Sequence, residues 1–258
     1  MDLLNFSLEQ FQSFLLVLMR VGAILMTVPI FGSKNLPMQL KIGLTLITSI
    51  ILFPVIPSLH SVFPTHILSF GLVMGAEIMI GAIIGFSVRV IFSGIQLAGQ
   101  LVEFQMGFSI VNVMDPQTST QLSIIAGFKN IVATLIFLAI NAHHWFLRAI
   151  VSSFQMVPPM EFNFSPLLME SILGMFNRIF IIAIKVGAPL MAALLFTSVA
   201  LGLIARTVPQ INIFIVGFPL KIAVGMIGLA LSLPIFSFFL RGIFNRIWID
   251  ISLLLRVM

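Results

Sequence analysis

The chain predicts an all-α membrane protein, and three observations carry the prediction. First, 60% of its 258 residues are hydrophobic and only 8% are charged, against about 25% charged in a soluble domain. Second, the mean hydropathy is +1.19, and the apolar residues gather in six long runs, near 11–31, 40–57, 67–92, 122–142, 172–205 and 211–240. Third, strict period-two alternation is missing, which removes a barrel of strands. A segment in lipid must satisfy its own backbone hydrogen bonds, and a spanning helix needs roughly 20 apolar residues. Apolar helical hairpins follow.

The first run is preceded by Glu9 and lacks a basic stretch and a small-x-small cleavage pattern. It reads as a retained helix rather than a signal peptide. Turn residues close the runs at Pro29 and Gly32, Pro54 and Pro57, Pro158 and Pro159, Pro209 and Pro219. The third run continues into a polar stripe: Arg89, Ser93, Gln96, Gln100 and Glu103 follow at helical spacing, which puts them on one face. Val90, Ile91, Leu97, Leu101 and Phe104 are expected opposite. One helix over 67–104 would be roughly 55 Å long at 1.5 Å per residue, longer than a hydrocarbon core of roughly 30 Å. The stripe therefore belongs to a wet lumen, a subunit interface or a solvated extension. Gly71-x-x-x-Gly75 and Gly81-x-x-x-Gly85 mark close helix approaches.

Charges inside the runs are costly, on the order of 3 kcal/mol each even on the mildest scale. Arg20 and Lys221 have stems long enough to reach an interface. A glutamate cannot reach so far. Glu77, Arg178 and Lys185 are expected as buried charges facing a protein interior or a water-filled cavity.

Several functions are excluded by what is missing. The net charge is +5, but the basic residues are scattered singly, so no nucleic-acid patch forms. There is no cysteine, hence no disulfide, thiolate metal site or thiol nucleophile. No Gly-Lys dipeptide, His-Glu-x-x-His or Gly-x-Ser-x-Gly occurs. His143 and His144 are adjacent and point in different directions, and beside Trp145 and Arg148 they mark a membrane interface. No catalytic residue, metal or cofactor is expected. Basic residues orient the chain inconsistently: Lys34, Lys41, Arg206 and Lys221 favour an outside N-terminus, whereas Arg241, Arg246 and Arg256 oppose it.

Two segments stand apart. From Gln105 to Pro116 the chain is apolar yet broken by Gly107 and by Asp115-Pro116. Irregular apolar backbone in a membrane protein is tolerated only inside protein or along a cavity, so the segment reads as a constriction or as a packed inter-helix loop. From Arg206 to Lys221 two apolar runs meet in a polar turn, a natural interface element.

These segments resemble the FliR family of flagellar biosynthetic proteins and its virulence-system counterpart, SctT. The resemblance rests on Gly99-Gln-Leu-Val-Glu-Phe-Gln-Met-Gly-Phe108, on Asp115-Pro116, and on Gly202-Leu-Ile-Ala-Arg-Thr-Val-Pro-Gln-Ile-Asn212 with Val216-Gly-Phe-Pro-Leu-Lys221. Residues from about Lys185 to Pro234 are also similar to FliQ. The resemblance implies one export-gate subunit over 1–258, FliP-like over 1–180 and FliQ-like over 181–258, in the bacterial inner membrane at the flagellar basal body. A single copy would join FliP and FliQ in a helical assembly beside FlhB- and FlhA-type export proteins, passing unfolded protein substrates. It further implies that Met106, Gly107, Phe108, Ser109, Ile110, Val111, Asn112, Val113, Met114, Asp115 and Pro116 form the loop that plugs the pore. The stripe from Arg89 to Glu103 would face the lumen or neighbouring subunits. Arg206, Pro209, Gln210, Asn212, Pro219 and Lys221 would form a cytoplasmic hairpin. The competing readings are a stand-alone secondary transporter or ion channel for a small solute, and an intramembrane enzyme, for which no nucleophile–base pair is visible.

Overall fold

The computed structural model describes residues 8–33, 36–56, 64, 66–108, 123–210 and 212–258. These form seven helices: α1 (Leu8–Thr27), α2 (Met38–Leu52), α3 (Ile67–Met106), α4 (Ile124–Ala139), α5 (Ala142–Met156), α6 (Pro166–Thr207) and α7 (Ile213–Leu255). No strand occurs among the described residues. Four helices, α1, α3, α6 and α7, are long and apolar enough to cross a membrane, and no more than a third of the most apolar stretch of each is buried within the chain.

The expected helices are present, with three differences. Helix α5 falls where no apolar run was expected, because His143, His144, Arg148 and two serines lower its hydropathy. Its helical signal is instead the spacing of its buried residues, Phe146, Ala149, Ile150, Ser153 and Phe154. Helix α7 continues well past residue 240, with Arg241, Asn245 and Arg246 exposed and Leu240, Phe244, Ile247 and Ile251 buried. Pro219 lies inside α7 rather than at its end, as do Pro234 in α7 and Pro189 in α6. A proline costs one ladder hydrogen bond, which long membrane helices tolerate.

The chain divides into two compact units. The first comprises Met1–Val90, Asn141–Met175 and Asn245–Met258. Its core is the face of α1 that carries Leu16, Val17, Val21, Ile24 and Leu25 at helical spacing. Helix α2 crosses α1 where a Cβ on Gly22 would stand 3.2 Å from the Thr45 methyl, and the Phe14 and Phe53 rings meet edge-on at 5.8 Å. Helix α3 packs on α1 through Gly81 and Gly85: a Cβ on Gly81 would fall 2.6 Å from the Arg20 carbonyl oxygen, and one on Gly85 2.6 Å from Thr27 Cβ. This glycine pair makes the close approach the sequence predicts. The other pair does not, since Gly71 and Gly75 face open space. The C-terminus is pinned by the Asn163 N–H donating to the Met258 carbonyl (2.9 Å) and the Ser165 hydroxyl donating to that of Val257 (2.8 Å).

The second unit comprises Ile91–Ile140 and Phe176–Phe244. Helices α6 and α7 run antiparallel here, with Gly217 against Leu201 and Gly228 against Leu190. Phe92, Phe137 and Phe244 cluster with centroids 5.3–6.3 Å apart. A second core gathers Val102, Met106, Ile125, Leu190, Leu194 and Leu229. Lys129 is buried, its ammonium 5.6 Å from the Phe236 ring centroid.

Candidate functional site

The apolar, turn-broken segment after α3 is the first candidate, and its stem is built by local rules. Helix α3 ends in a Schellman motif: the Phe108 N–H donates to the Glu103 carbonyl (3.3 Å) and the Gly107 N–H to that of Phe104 (3.1 Å). The motif requires a left-handed residue, and Gly107 supplies it at φ +93°. The apolar contact that accompanies such caps is present too, since Phe108 packs against the core that holds Val102. Met106 is fully buried, and a Cβ on Gly225 would overlap its thioether.

The far side of the stem begins at Ser123, the N-cap of α4, whose oxygen accepts from the Ala126 N–H at 3.1 Å. The same hydroxyl donates to the Glu103 carboxylate. One side chain from the last turn of α3 and one from the first turn of α4 therefore clasp the stem. Behind the clasp the helices nearly touch: a Cβ on Gly99 would lie 2.4 Å from Ala126 Cα. Ser109, Ile110, Val111, Asn112, Val113, Met114, Asp115 and Pro116 lie outside the described residues.

Gly107→Ala is strained twice, by the positive φ and because its Cβ would meet the Phe218 ring at 2.6 Å. It is expected to cost about 1–3 kcal/mol. A lowered unfolding midpoint of the detergent-purified protein checks this, and an unchanged midpoint overturns it.

The stripe on α3 is partly as expected. Arg89, Gln96 and Gln100 are exposed and Ser93 is half-buried. Glu103 turns inward, because it sits at the stripe's trailing edge where the Ser123 hydroxyl meets it. Leu101 and Phe104 are exposed rather than opposite and covered. The reason is angular: four residues advance a helix by roughly 40° beyond one turn, so Phe104 lies beside Gln100. In the hairpin, Arg206, Pro209, Gln210, Asn212 and Pro219 are exposed and Lys221 is half-buried.

Of the three charges expected to be buried, Glu77 is buried within the chain itself, and Arg178 and Lys185 lie on the surface that α6 presents outside the chain. Their long stems let the charged heads stay on the surface of an apolar helix. Glu77 has a partner that the sequence reading left at an interface. Arg20 is fully buried and its Nε donates to Glu77 Oε2 at 2.5 Å. Its Nη1 donates to the carbonyls of Ser153 (2.8 Å) and Val157 (2.9 Å) at the end of α5, where the Ser153 carbonyl also accepts from the Val157 N–H (3.0 Å). The guanidinium also stacks 4.1 Å from the Phe154 ring centroid. One arginine thus joins α1, α3 and α5. The sequence signal that finds it is a rule rather than a spacing: a buried carboxylate in a membrane helix needs a cation. No three His, Cys, Asp or Glu side chains converge as metal ligands among the described residues.

A family model described as "Bacterial export proteins, family 1" matches residues 11–247. The flagellar biosynthetic protein FliR of Bacillus subtilis (strain 168) is 38% identical over 252 residues, covering 94% of each chain. FliR of Escherichia coli (strain K12) is 31% identical over 235 residues, 90% of this chain and 88% of that one. FliR of Pectobacterium carotovorum subsp. carotovorum is 29% identical over 250 residues, 96% of this chain and 92% of its own. With the resemblance running through nearly the whole length, the chain belongs to the FliR family, the bacterial export proteins of family 1.

Proposed function

We propose that this multi-pass membrane protein, a component of the flagellar export apparatus, forms the pore of the protein-export gate together with FliP- and FliQ-type subunits. The pore lies in the bacterial inner membrane and passes unfolded flagellar proteins out of the cytoplasm. Residues 106–116 close it at rest. Residues 1–180 are the FliP-like part and 181–258 the FliQ-like part, with FlhB- and FlhA-type proteins as neighbours.

The observation that carries this reading is the length of uncovered apolar surface. Within the second unit, exposed apolar side chains follow α6 from Phe176 to Ile204, about 42 Å at the helical rise. A hydrocarbon core is roughly 30 Å thick. Fitting the strip inside it would take a tilt of about 44°, beyond the range of roughly 0–40° that membrane helices show. Helix α7 also exposes apolar side chains in this unit, from Ile215 to Phe238. Lipid alone does not cover such strips, and other apolar subunits do. This argues against a chain that works alone as a small-solute transporter.

The closing role of the loop is supported by its stem. Met106 and Phe108 are apolar and packed, and Glu103 and Ser123 hold both ends together. An apolar constriction blocks ions because an ion cannot shed its water there, while a passing polypeptide displaces and partly replaces the seal. No chemical step is required of this chain.

The test is ion conductance across the membrane of cells that make the chain with its FliP and FliQ partners. Deleting residues 107–114 is expected to produce a leak that disappears when either partner is withheld. An assembled complex without added leak overturns the closing role. Failure to co-purify with either partner overturns the subunit reading.

A further inference from the structure

The groove between the end of α1 and the start of α2 has no part in the reading above. Its volume is about 390 Å³ and its walls include Leu25, Met26, Phe31, Leu40, Leu44 and Ile47. We propose that this groove binds one acyl chain of an anionic glycerophospholipid, with the phosphate held at Lys41.

The groove's wall is almost wholly apolar, with Gln39, Lys41 and Thr45 its polar lining residues. Gln39 and Lys41 line it in the first turn of α2. The wall then continues through Gly43, Leu44 and Ile47, about 12 Å of helix from Gln39 at the usual rise. Its one other polar wall residue is neutralised, since the Thr45 hydroxyl donates to the carbonyl of Lys41 within the helix (2.8 Å). Meanwhile Met26, Leu40, Leu44 and Ile47 stay exposed, so the groove is unfilled by the chain itself.

The Lys41 ammonium donates to the Gly32 carbonyl at 3.3 Å. An ammonium has three donors, which leaves two for a phosphate oxygen. A basic group beside an apolar cleft is the pairing by which basic pockets hold anionic headgroups. The cation matches the phosphate and the apolar wall matches the chain.

Gly43 makes the test clean. A Cβ there meets nothing within 4 Å, so Gly43→Leu fills the groove without straining the backbone. The full-length chain in mild detergent is mixed with phosphatidylglycerol or phosphatidylcholine of identical acyl chains, and the lipid retained per chain is counted by native mass spectrometry. Wild type is expected to retain one phosphatidylglycerol in preference to phosphatidylcholine. Gly43→Leu is expected to lower retention at least tenfold, with the unfolding midpoint unchanged. Lys41→Gln is expected to erase the headgroup preference and leave acyl-chain retention. Equal retention by wild type and Gly43→Leu overturns the proposal. So does a cysteine at position 43 that cross-links to another polypeptide in the assembled complex while no lipid is retained.

Discussion

Arg20→Ala is expected to remove a large share of the stability of the protein. Breaking a buried pair by taking one partner strands the other charge, at about 3–5 kcal/mol, in proteins whose total stability is about 5–15 kcal/mol. Glu77 would be that stranded charge, since Arg20 and Glu77 are both fully buried and form the ion pair at 2.5 Å. The midpoint of thermal unfolding in detergent should fall on the order of 10 °C. Glu77→Ala should do the same. The double change Arg20→Met with Glu77→Leu separates two roles of the arginine. It removes both charges together, which is often nearly neutral. It also leaves the Val157 carbonyl without the guanidinium that it accepts from, at about 1–3 kcal/mol for a buried group, while the Ser153 carbonyl keeps the Val157 N–H. The double variant should therefore recover part, and not all, of the loss. Full recovery would show that capping α5 contributes nothing, and an Arg20→Ala protein as stable as wild type would overturn the whole account.

The second large effect is expected at Gly99. Its added Cβ would meet backbone, Ala126 Cα at 2.4 Å and Ala126 N at 2.7 Å, and backbone has no rotamer with which to move aside. Overpacking costs about 1–3 kcal/mol and occasionally more, so Gly99→Ala belongs in that range and Gly99→Leu above it. The strain falls directly behind the Glu103–Ser123 clasp, so α3 and α4 must part there. The neighbouring Gly127 provides the control, because its Cβ would meet nothing within 4 Å. Gly127→Ala should gain about 0.5–1 kcal/mol through helix propensity. Unfolding midpoints of the three variants decide the matter, and equal behaviour of Gly99→Ala and Gly127→Ala would overturn it.

How far the sequence reaches differs from element to element. The apolar runs locate α1, α3, α6 and α7 because lipid and apolar partners demand the same unbroken hydrophobicity. Helix α5 escapes that scan, since half its surface is polar and its signal is periodicity rather than hydropathy. Gly81-x-x-x-Gly85 and Gly71-x-x-x-Gly75 are the same motif, yet only the first meets a neighbour; which glycine faces a helix is a tertiary fact. The charges tell the same story. A short stem forces Glu77 inside to a partner, whereas Arg178 and Lys185 reach the surface from an equally apolar helix. The Schellman cap at Gly107 was legible as a break and not as a cap, because the hydrogen bonds that define it depend on where α3 ends. The clasp joins residues 20 positions apart across a loop, and no local pattern announces it.

The arginine clamp also has a history in time. Its first partner, Glu77, is made 57 residues after Arg20, and its second, Ser153, 133 residues after it. A bacterial ribosome adds roughly 5–20 residues per second, so the guanidinium waits roughly 3–11 s for a carboxylate and then about as long again for the end of α5. The order is favourable: the charge is neutralised before its remaining donors are used. A newborn chain therefore carries α1 and α3 as a neutral pair through the synthesis of the next helices, and α5 is added to a seat already made.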